Sequence, residues 1–346
     1  MIETLHSLRF VFIMLIVVSH LVGSKFDFGG ECGVSFFFIL SGFVLSYAYG
    51  EKVKTGQFRT WSFLRRQLLK FYPLHLLMLV GIALIDVGQD CCYDWQHVLP
   101  CILLLQSWIP FEEYIFATNG LSWFLCDILF FYLVFAACYR FLNRLSVRMM
   151  SVVGAMALVA YVAVAWSIPH SFINSVLYAS PWTRLLDFCL GMLLCRLLLS
   201  AVGADAARWM QRQSKSVLTL CELLVVALIV LSYIIYLSSS PRFRCVALFW
   251  LVIPPVLSWF FLSDRHGGRL TALLKTPVML WLGSISMEIY LTHIFVFRSV
   301  FSVLRAVGVT KAYVLMAIGV AVLLPVCYLT KRFFVDKIYA SLLKYV

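Results

Sequence analysis

Charge is scarce in this sequence. Asp, Glu, Lys and Arg make up only 13% of its 346 residues, whereas a soluble domain carries about 25%. Hydrophobic residues make up 63%. Such a chain has too few charges to cover a surface that faces water, which excludes a soluble globular enzyme, a disordered protein and a coiled coil. A polytopic membrane protein remains, and the length of the apolar runs indicates helices rather than a barrel.

Two further patterns are missing. The first apolar run has no basic segment before it and no small-residue cleavage site after it, so we expect a transmembrane helix rather than a cleaved signal peptide. No Cys or His set has the spacing of a zinc site, and we predict no metal. Most of the eleven cysteines lie in apolar runs. Four cysteines fall in predicted outer loops, where a disulfide is one alternative, and the sequence does not indicate which of them would pair: Cys32, Cys91, Cys92 and Cys101.

Ten apolar runs are long enough to cross, or nearly cross, a hydrocarbon core of about 30 Å. They lie at 5–23, 34–49, 67–86, 121–141, 149–167, 182–200, 217–237, 246–262, 276–300 and 312–331. A further segment, 97–109, is short and contains Pro100 and Gln106.

Positive charge decides whether 97–109 crosses. The net charge of +12 predicts membrane orientation rather than a nucleic-acid partner, because Lys and Arg collect in cytoplasmic loops. If 97–109 does not cross and the N-terminus is cytoplasmic, 21 of the 28 Lys and Arg residues lie on the cytoplasmic side. We therefore predict an all-α polytopic membrane protein of about ten helices. Both termini are cytoplasmic, 97–109 is a re-entrant or interfacial segment in an outer loop, and 1–346 form one transmembrane domain without an appended soluble domain.

The first span carries two ionisable residues, Arg9 and His20. Eleven residues are about three helical turns, so both lie on one face, separated by a rise of about 16 Å. Ionisable groups inside a membrane are costly and are functional candidates by default. We expect a polar channel along this face. The alternative is that Arg9 is a boundary residue reaching for water and that His20 is a packing residue.

Arg65, Arg66 and Lys70 precede Pro73 at the inner mouth of the third span. They are either orientation anchors or a cationic platform for phosphates. In the second span, Gly33, Ser41 and Gly42 are small enough to admit a neighbouring helix. Further polar candidates within spans are Asp127, Arg184, Asp187, Glu288 and His293.

Two pairs among these candidates differ in spacing. Arg184 and Asp187, at i and i+3, are close enough for an ion pair. Glu288 and His293, five residues apart, cannot easily share a partner.

Together these segments resemble acyltransferase family 3, the integral-membrane O-acyltransferases, in the family's order and over nearly the whole chain. The matching residues are Arg9 and His20; Phe37, Phe38, Ser41, Gly42 and Phe43; Arg65, Arg66, Tyr72 and Pro73; Ser122, Trp123, Phe130, Phe131 and Tyr132; Pro181, Arg184, Phe188 and Gly191; and Gly283, Ser286, Tyr290, Leu291 and His293. The departures are His6 where many members have Asp, Lys70 where many have Arg, and Ile128 where many have Glu, which leaves Asp127 as the nearest acid.

The resemblance implies an enzyme of the plasma (bacterial inner) membrane. Its co-substrate is acetyl-CoA or another acyl-CoA, with no permanently bound cofactor. Its acceptor is a hydroxyl of a cell-surface glycan or glycolipid. His20 then matches the family's catalytic base, Arg9 is the second catalytic residue, and Arg65, Arg66 and Lys70 bind the donor. The acyl group passes directly or through a covalent enzyme intermediate.

Two other functions remain open from the sequence. One is a transporter or flippase for a lipid-linked or small anionic substrate, although paired inverted broken helices are not evident. The other is a non-catalytic membrane component with the same fold. The presence of both Arg9 and His20 argues against it.

Overall fold

The structure, a computed structural model, describes residues 2–88 and 94–345. The described chain is 85% helical and contains no strands, which confirms the all-α prediction. The α-helices are α1 (Glu3–Val22), α2 (Asp27–Lys54), α3 (Thr60–Val87), α4 (Trp95–Leu103), α5 (Glu112–Ile115), α6 (Trp123–Arg144), α7 (Val147–Ser167), α8 (Pro181–Leu198), α9 (Ala201–Gln211), α10 (Lys215–Ser238), α11 (Pro241–Arg244), α12 (Ala247–Leu262), α13 (Arg269–Leu274), α14 (Pro277–Ser284), α15 (Ser286–Ala306), α16 (Ala312–Thr330) and α17 (Asp336–Leu342). Short π-helices span Ile173–Tyr178 and Lys331–Val335.

Nine helical segments of the described chain are long and apolar enough to cross a membrane. The tenth predicted span, 182–200, falls on α8, which contains Arg184, Asp187 and Arg196 within 18 residues. It passes the same test together with α9, from which it is bent by 65°, so ten spans result if that pair counts as one. The polytopic helical bundle is therefore confirmed, and the tenth span is the one interrupted by charge.

The predicted run 276–300 is not one continuous helix. It divides at Ile285 into α14 and α15, and α15 alone is the candidate span. A Cβ on Gly283 would overlap the backbone carbonyl of His6, so the end of α14 packs directly on α1. The break places the first turn of α15 beside α1.

The segment 97–109 forms no spanning helix. α4 has nine residues, a rise of about 14 Å, which is less than half of a bilayer core. It ends at Leu104 in a left-handed backbone conformation with φ of 54°, and a short 3-10 helix follows. Cys32 and Cys101 are buried free thiols, whereas Cys91 and Cys92 lie outside the described residues.

α2 occupies the middle of the bundle. In its membrane segment 72% of the residues are buried, compared with 11% in α7, so α2 is central and α7 peripheral. Two glycines bring α2 against α8: a Cβ on Gly42 would overlap the Phe188 carbonyl, and one on Gly191 would overlap the Ile39 carbonyl. Gly33 likewise meets Ile16 of α1. The small residues predicted to admit neighbouring helices do so at Gly33 and Gly42.

Candidate active site

Arg9 and His20 each lie on the wall of a cavity, and the two cavities follow one another along α1. The same four helices, α1, α2, α6 and α15, contribute to both linings. We call them the Arg9-end cavity and the His20-end cavity. The sequence placed Arg9 and His20 on one face of α1, and the structure agrees.

The Arg9-end cavity has a volume of about 180 Å³. Its lining comprises Arg9, Phe37, Leu40, Ser41, Val44, Leu45, Gln67, Lys70, Phe71, Phe124, Leu125, Ile128, Tyr132, Ser286, Met287 and Tyr290. Arg9 and Lys70 are its cationic members, and the Ser41 hydroxyl donates a 2.7 Å hydrogen bond to the Phe37 carbonyl. Two cations over an otherwise largely apolar wall give this cavity an attraction for anions.

A buried carboxylate lies beside these cations. Glu288 interacts electrostatically with Arg9, Lys70 and Lys331, and the Lys331 Nζ lies 3.6 Å from Glu288 Oε1. The Glu288 side chain is 4% exposed, and its second oxygen receives no hydrogen bond from a described residue. A second acid, Asp336, also interacts with Lys70, so three cations and two acids leave a net positive charge at this end of the bundle.

The first turn of α15 adds to that positive potential. Because the helix begins at Ser286, after the break at Ile285, the positive end of its dipole lies at the cavity wall beside Met287, with the acidic Glu288 in the same turn. Such helix ends favour anions. The hydropathy pattern had predicted a continuous span here, so this contribution was missed.

Arg65 and Arg66 do not line the cavity. Both side chains are exposed near the start of α3. Arg66 lies four residues before Lys70, hence one turn away on the same face. Of the three residues predicted to bind the donor, the structure brings Lys70 to the cavity and leaves the two arginines outside its lining.

The His20-end cavity has a volume of about 250 Å³ and a different lining. It comprises Ile16, His20, Val34, Phe116, Gly120, Leu121, Trp123, Tyr178, Tyr290 and Ile294. Among the described residues of this lining, only His20 has a titratable nitrogen in its side chain. The rest of the wall is apolar or aromatic, so a polar substrate group entering here meets the imidazole.

His20 and His293 form a pair across α1 and α15. The His293 Nε2 lies 3.3 Å from the His20 Nδ1. The same His20 Nδ1 is 2.9 Å from the Ile16 carbonyl, and the His293 Nδ1 is 2.8 Å from the Tyr290 carbonyl. Because carbonyls only accept hydrogen bonds, we assign the ring protons of both neutral histidines to Nδ1. The His20 Nε2 then carries the lone pair.

Arg184 and Asp187 form the predicted ion pair, with 2.7 Å between Nη1 and Oδ2, and both side chains are completely buried. Arg184 also donates to the Ser35 hydroxyl at 3.0 Å and to the Tyr178 carbonyl at 2.7 Å. The Trp250 indole donates to Asp187. The pair therefore braces Tyr178, which lines the His20-end cavity, and lies behind the wall rather than in the cavity.

Asp127 is completely buried in α6, and its carboxylate lies beside the Ser107 hydroxyl. It lines neither cavity, although its neighbours Leu125 and Ile128 line the Arg9-end cavity. The structure thus does not bring Asp127 to the site.

Several residues that line the cavities were not indicated as site residues by the sequence. Gln67 had one available signal, a spacing of three residues from Lys70. Tyr132, Ser286 and Tyr290 belong to the motifs on which the family resemblance depends, but the motifs did not indicate their positions. Tyr290 lies on the walls of both cavities.

Comparison with known proteins agrees with this architecture. The model of acyltransferase family 3, described as an acyltransferase domain, matches residues 2–332. The chain is 29% identical over 286 residues to acyltransferase MdmB of Streptomyces mycarofaciens, covering 78% of this chain and 68% of that protein. Over 50 residues it is 44% identical to protein 2 in the picA locus of Rhizobium radiobacter, covering 14% of this chain and 26% of that protein. No solved structure matches.

Proposed function

Since the chain belongs to acyltransferase family 3 and is an acyltransferase, we propose that it transfers an acetyl group from acetyl-CoA to a hydroxyl of a cell-surface glycan or glycolipid. The observation that carries the proposal is the pair of cavities along one set of helices, one cationic and the other holding an imidazole. Family membership favours this enzyme over the transporter that the sequence left open.

The Arg9-end cavity is the proposed donor site. CoA is a polyanion, and the cations beside this cavity are Arg9, Lys70 and Lys331. The planar guanidinium of Arg9 can donate two parallel hydrogen bonds to a phosphate, and the ammonium of Lys70 attracts it as a compact positive charge. The first turn of α15 adds the positive end of a helix dipole to the same wall. Arg66, one turn from Lys70, extends the positive surface towards the mouth.

In the proposed orientation the Arg9 end faces the cytoplasm, and the protein lies in the plasma membrane with both termini inside. The bias of Lys and Arg supports this direction. Acetyl-CoA then enters from the cytoplasm, whereas a surface glycan enters from the opposite side. Phe116, Trp123 and Tyr178 offer flat apolar faces on which the C–H face of a sugar ring can pack.

His20 is the proposed general base. The lone pair on its Nε2 takes the proton of the acceptor hydroxyl as the oxygen attacks the thioester carbonyl. The C–S bond then breaks, and the proton passes to the departing CoA sulfur. While His20 is protonated, its Nδ1–H donates to the Ile16 carbonyl and His293 Nε2, which orients the ring. Transfer should fall in acid, because a protonated imidazole has no lone pair.

Two measurements test this function. Purified protein in lipid nanodiscs, supplied with labelled acetyl-CoA and surface glycan or glycolipid from its own cells, should release CoA and acetylate the acceptor. Mass spectrometry of glycans and lipids from cells with and without the protein should show acetyl groups that depend on it. Loss of the protein with no change in acylation of any glycan or lipid would refute the proposal.

A further inference from the structure

Tyr290 is the residue that the two cavities share. Among the described residues no other side chain appears in both linings. Along α15, Ser286 and Met287 face the Arg9-end cavity, Ile294 faces the His20-end cavity, and Tyr290 lies between them. The side chain thus lies where a path from the cations to His20 would pass.

Tyr290 has defined contacts in this position. Its hydroxyl donates a 2.8 Å hydrogen bond to the Leu121 carbonyl, and its ring centroid lies 5.1 Å from that of Phe124. The residue is 7% exposed. Its own carbonyl lies 2.8 Å from the His293 Nδ1. One turn of α15 therefore carries both this ring and the partner of His20.

A wall at this position has a chemical consequence. His20 can take a proton from water as readily as from a sugar hydroxyl, and water reaches a cavity that opens to solvent. A continuous passage would let His20-activated water meet the thioester before an acceptor had bound. Closing a site against water prevents such side reactions.

We propose that Tyr290 is the partition between the donor and acceptor cavities: it closes the passage while no acceptor is bound and turns aside when one enters, so that the thioester reaches His20 beside a hydroxyl instead of beside water. This inference rests on the proposed function and specifies which residue separates transfer from hydrolysis. In the side reaction, the water oxygen bonds to the acyl carbon and the C–S bond breaks. One water proton passes through His20 to the sulfur, leaving a carboxylic acid and CoA thiol.

The first test compares acceptor-free hydrolysis with transfer. Tyr290→Ala removes the ring and joins the cavities, so CoA thiol release from acetyl-CoA without acceptor should rise, relative to transfer, by at least about tenfold. Tyr132→Ala and Ile294→Ala are matched controls, because they enlarge one cavity each without joining the two. Tyr290→Phe keeps the ring and loses the hydrogen bond to Leu121, so its ratio should stay near that of the wild type.

The second test needs no catalysis. Ser286→Cys places a thiol on the Arg9-end cavity, and a charged membrane-impermeant methanethiosulfonate is added from either face of sealed vesicles. The parent chain without Ser286→Cys gives the background from native cysteines. With Tyr290 present, the reagent should label the new thiol from the Arg9 end alone; with Tyr290→Ala, it should label from both ends.

The outcomes separate the two proposals. A Tyr290→Ala protein whose hydrolysis ratio equals that of the controls, or whose Ser286→Cys thiol still labels from one end, overturns the partition. If Tyr290→Ala does not reach the membrane, Tyr290→Leu undergoes the same two tests with the same criteria. If the wild type transfers nothing from acetyl-CoA, the proposed function fails, and labelling still decides the partition.

Discussion

The Arg9-end and His20-end cavities share α1, α2, α6 and α15, yet their walls differ in chemistry. α3 adds Gln67 and Lys70 to the first, whereas the loop before α6 and the π-helix at Ile173–Tyr178 add aromatic and apolar side chains to the second. The shared helix α1 gives Arg9 to one site and His20 to the other, and the unshared segments add a second cation to the first and an apolar wall to the second. Under the proposed function, one bundle holds a polyanion and a neutral hydroxyl a few helical turns apart.

The largest effect should come from the His20-end cavity. His20→Gln keeps a polar side chain and loses the basic nitrogen, so transfer should fall about 10²- to 10⁴-fold. Binding of acyl-CoA at the other cavity should persist, which equilibrium binding of labelled acetyl-CoA would show. A His20→Gln protein that keeps most of its turnover would make the imidazole a structural polar group.

The buried ion pair behind the same cavity should govern stability. Arg184→Met leaves Asp187 without its cation, and breaking a buried pair costs about 3–5 kcal/mol of unfolding free energy. Replacing both partners, as Arg184→Met with Asp187→Leu, should recover much of that loss. Thermal unfolding in detergent measures both proteins, and a double variant no more stable than the single would show that the cost lies elsewhere.

The cationic cavity should respond in donor affinity. Arg9→Gln or Lys70→Gln removes one charge-assisted contact of about 1.5–3 kcal/mol, which is roughly ten- to a hundredfold in Kd for acyl-CoA. Arg66→Gln and Arg65→Gln are the comparison. Both should weaken acyl-CoA binding less than Arg9→Gln or Lys70→Gln, because both side chains lie outside the cavity, and Arg65→Gln should have the smaller effect of the two. Titration with acetyl-CoA checks the ranking. Equal losses at all four positions would indicate a diffuse surface charge.

The smallest effect should come from the partner histidine. His293→Phe removes an acceptor 3.3 Å from the His20 Nδ1, and a neutral hydrogen bond contributes about 0.5–1.5 kcal/mol. That corresponds to roughly two- to tenfold in kcat, with acyl-CoA affinity unchanged. Steady-state kinetics would separate the two constants. A larger loss of kcat in His293→Phe than in His20→Gln would make His293 the general base and His20 its hydrogen-bond partner.

The sequence predicted the helical bundle, the alignment of Arg9 with His20 and the Arg184–Asp187 pair, because helical periodicity fixes neighbours within one helix. It did not predict the His20–His293 contact, which joins residues 273 positions apart. Nor did it predict the break at Ile285, since hydropathy averages over α14 and α15 alike. Spacing places Lys70 and Arg66 on one helix face. It does not show that Lys70 lines the cavity and Arg66 does not, because that depends on packing between helices.

The glycine contacts between α2 and α8 bear on how the protein is synthesised. α8 carries Arg184, Asp187 and Arg196, so a translocon would insert it poorly as an isolated segment. α2 leaves the ribosome long before α8; its Gly42 lets the α8 backbone approach at Phe188, and its Ser35 accepts a hydrogen bond from Arg184 of the buried pair. Biogenesis of α8 is then cooperative: a bulky residue at Gly42 should leave α8 outside the bilayer and direct the chain to quality control.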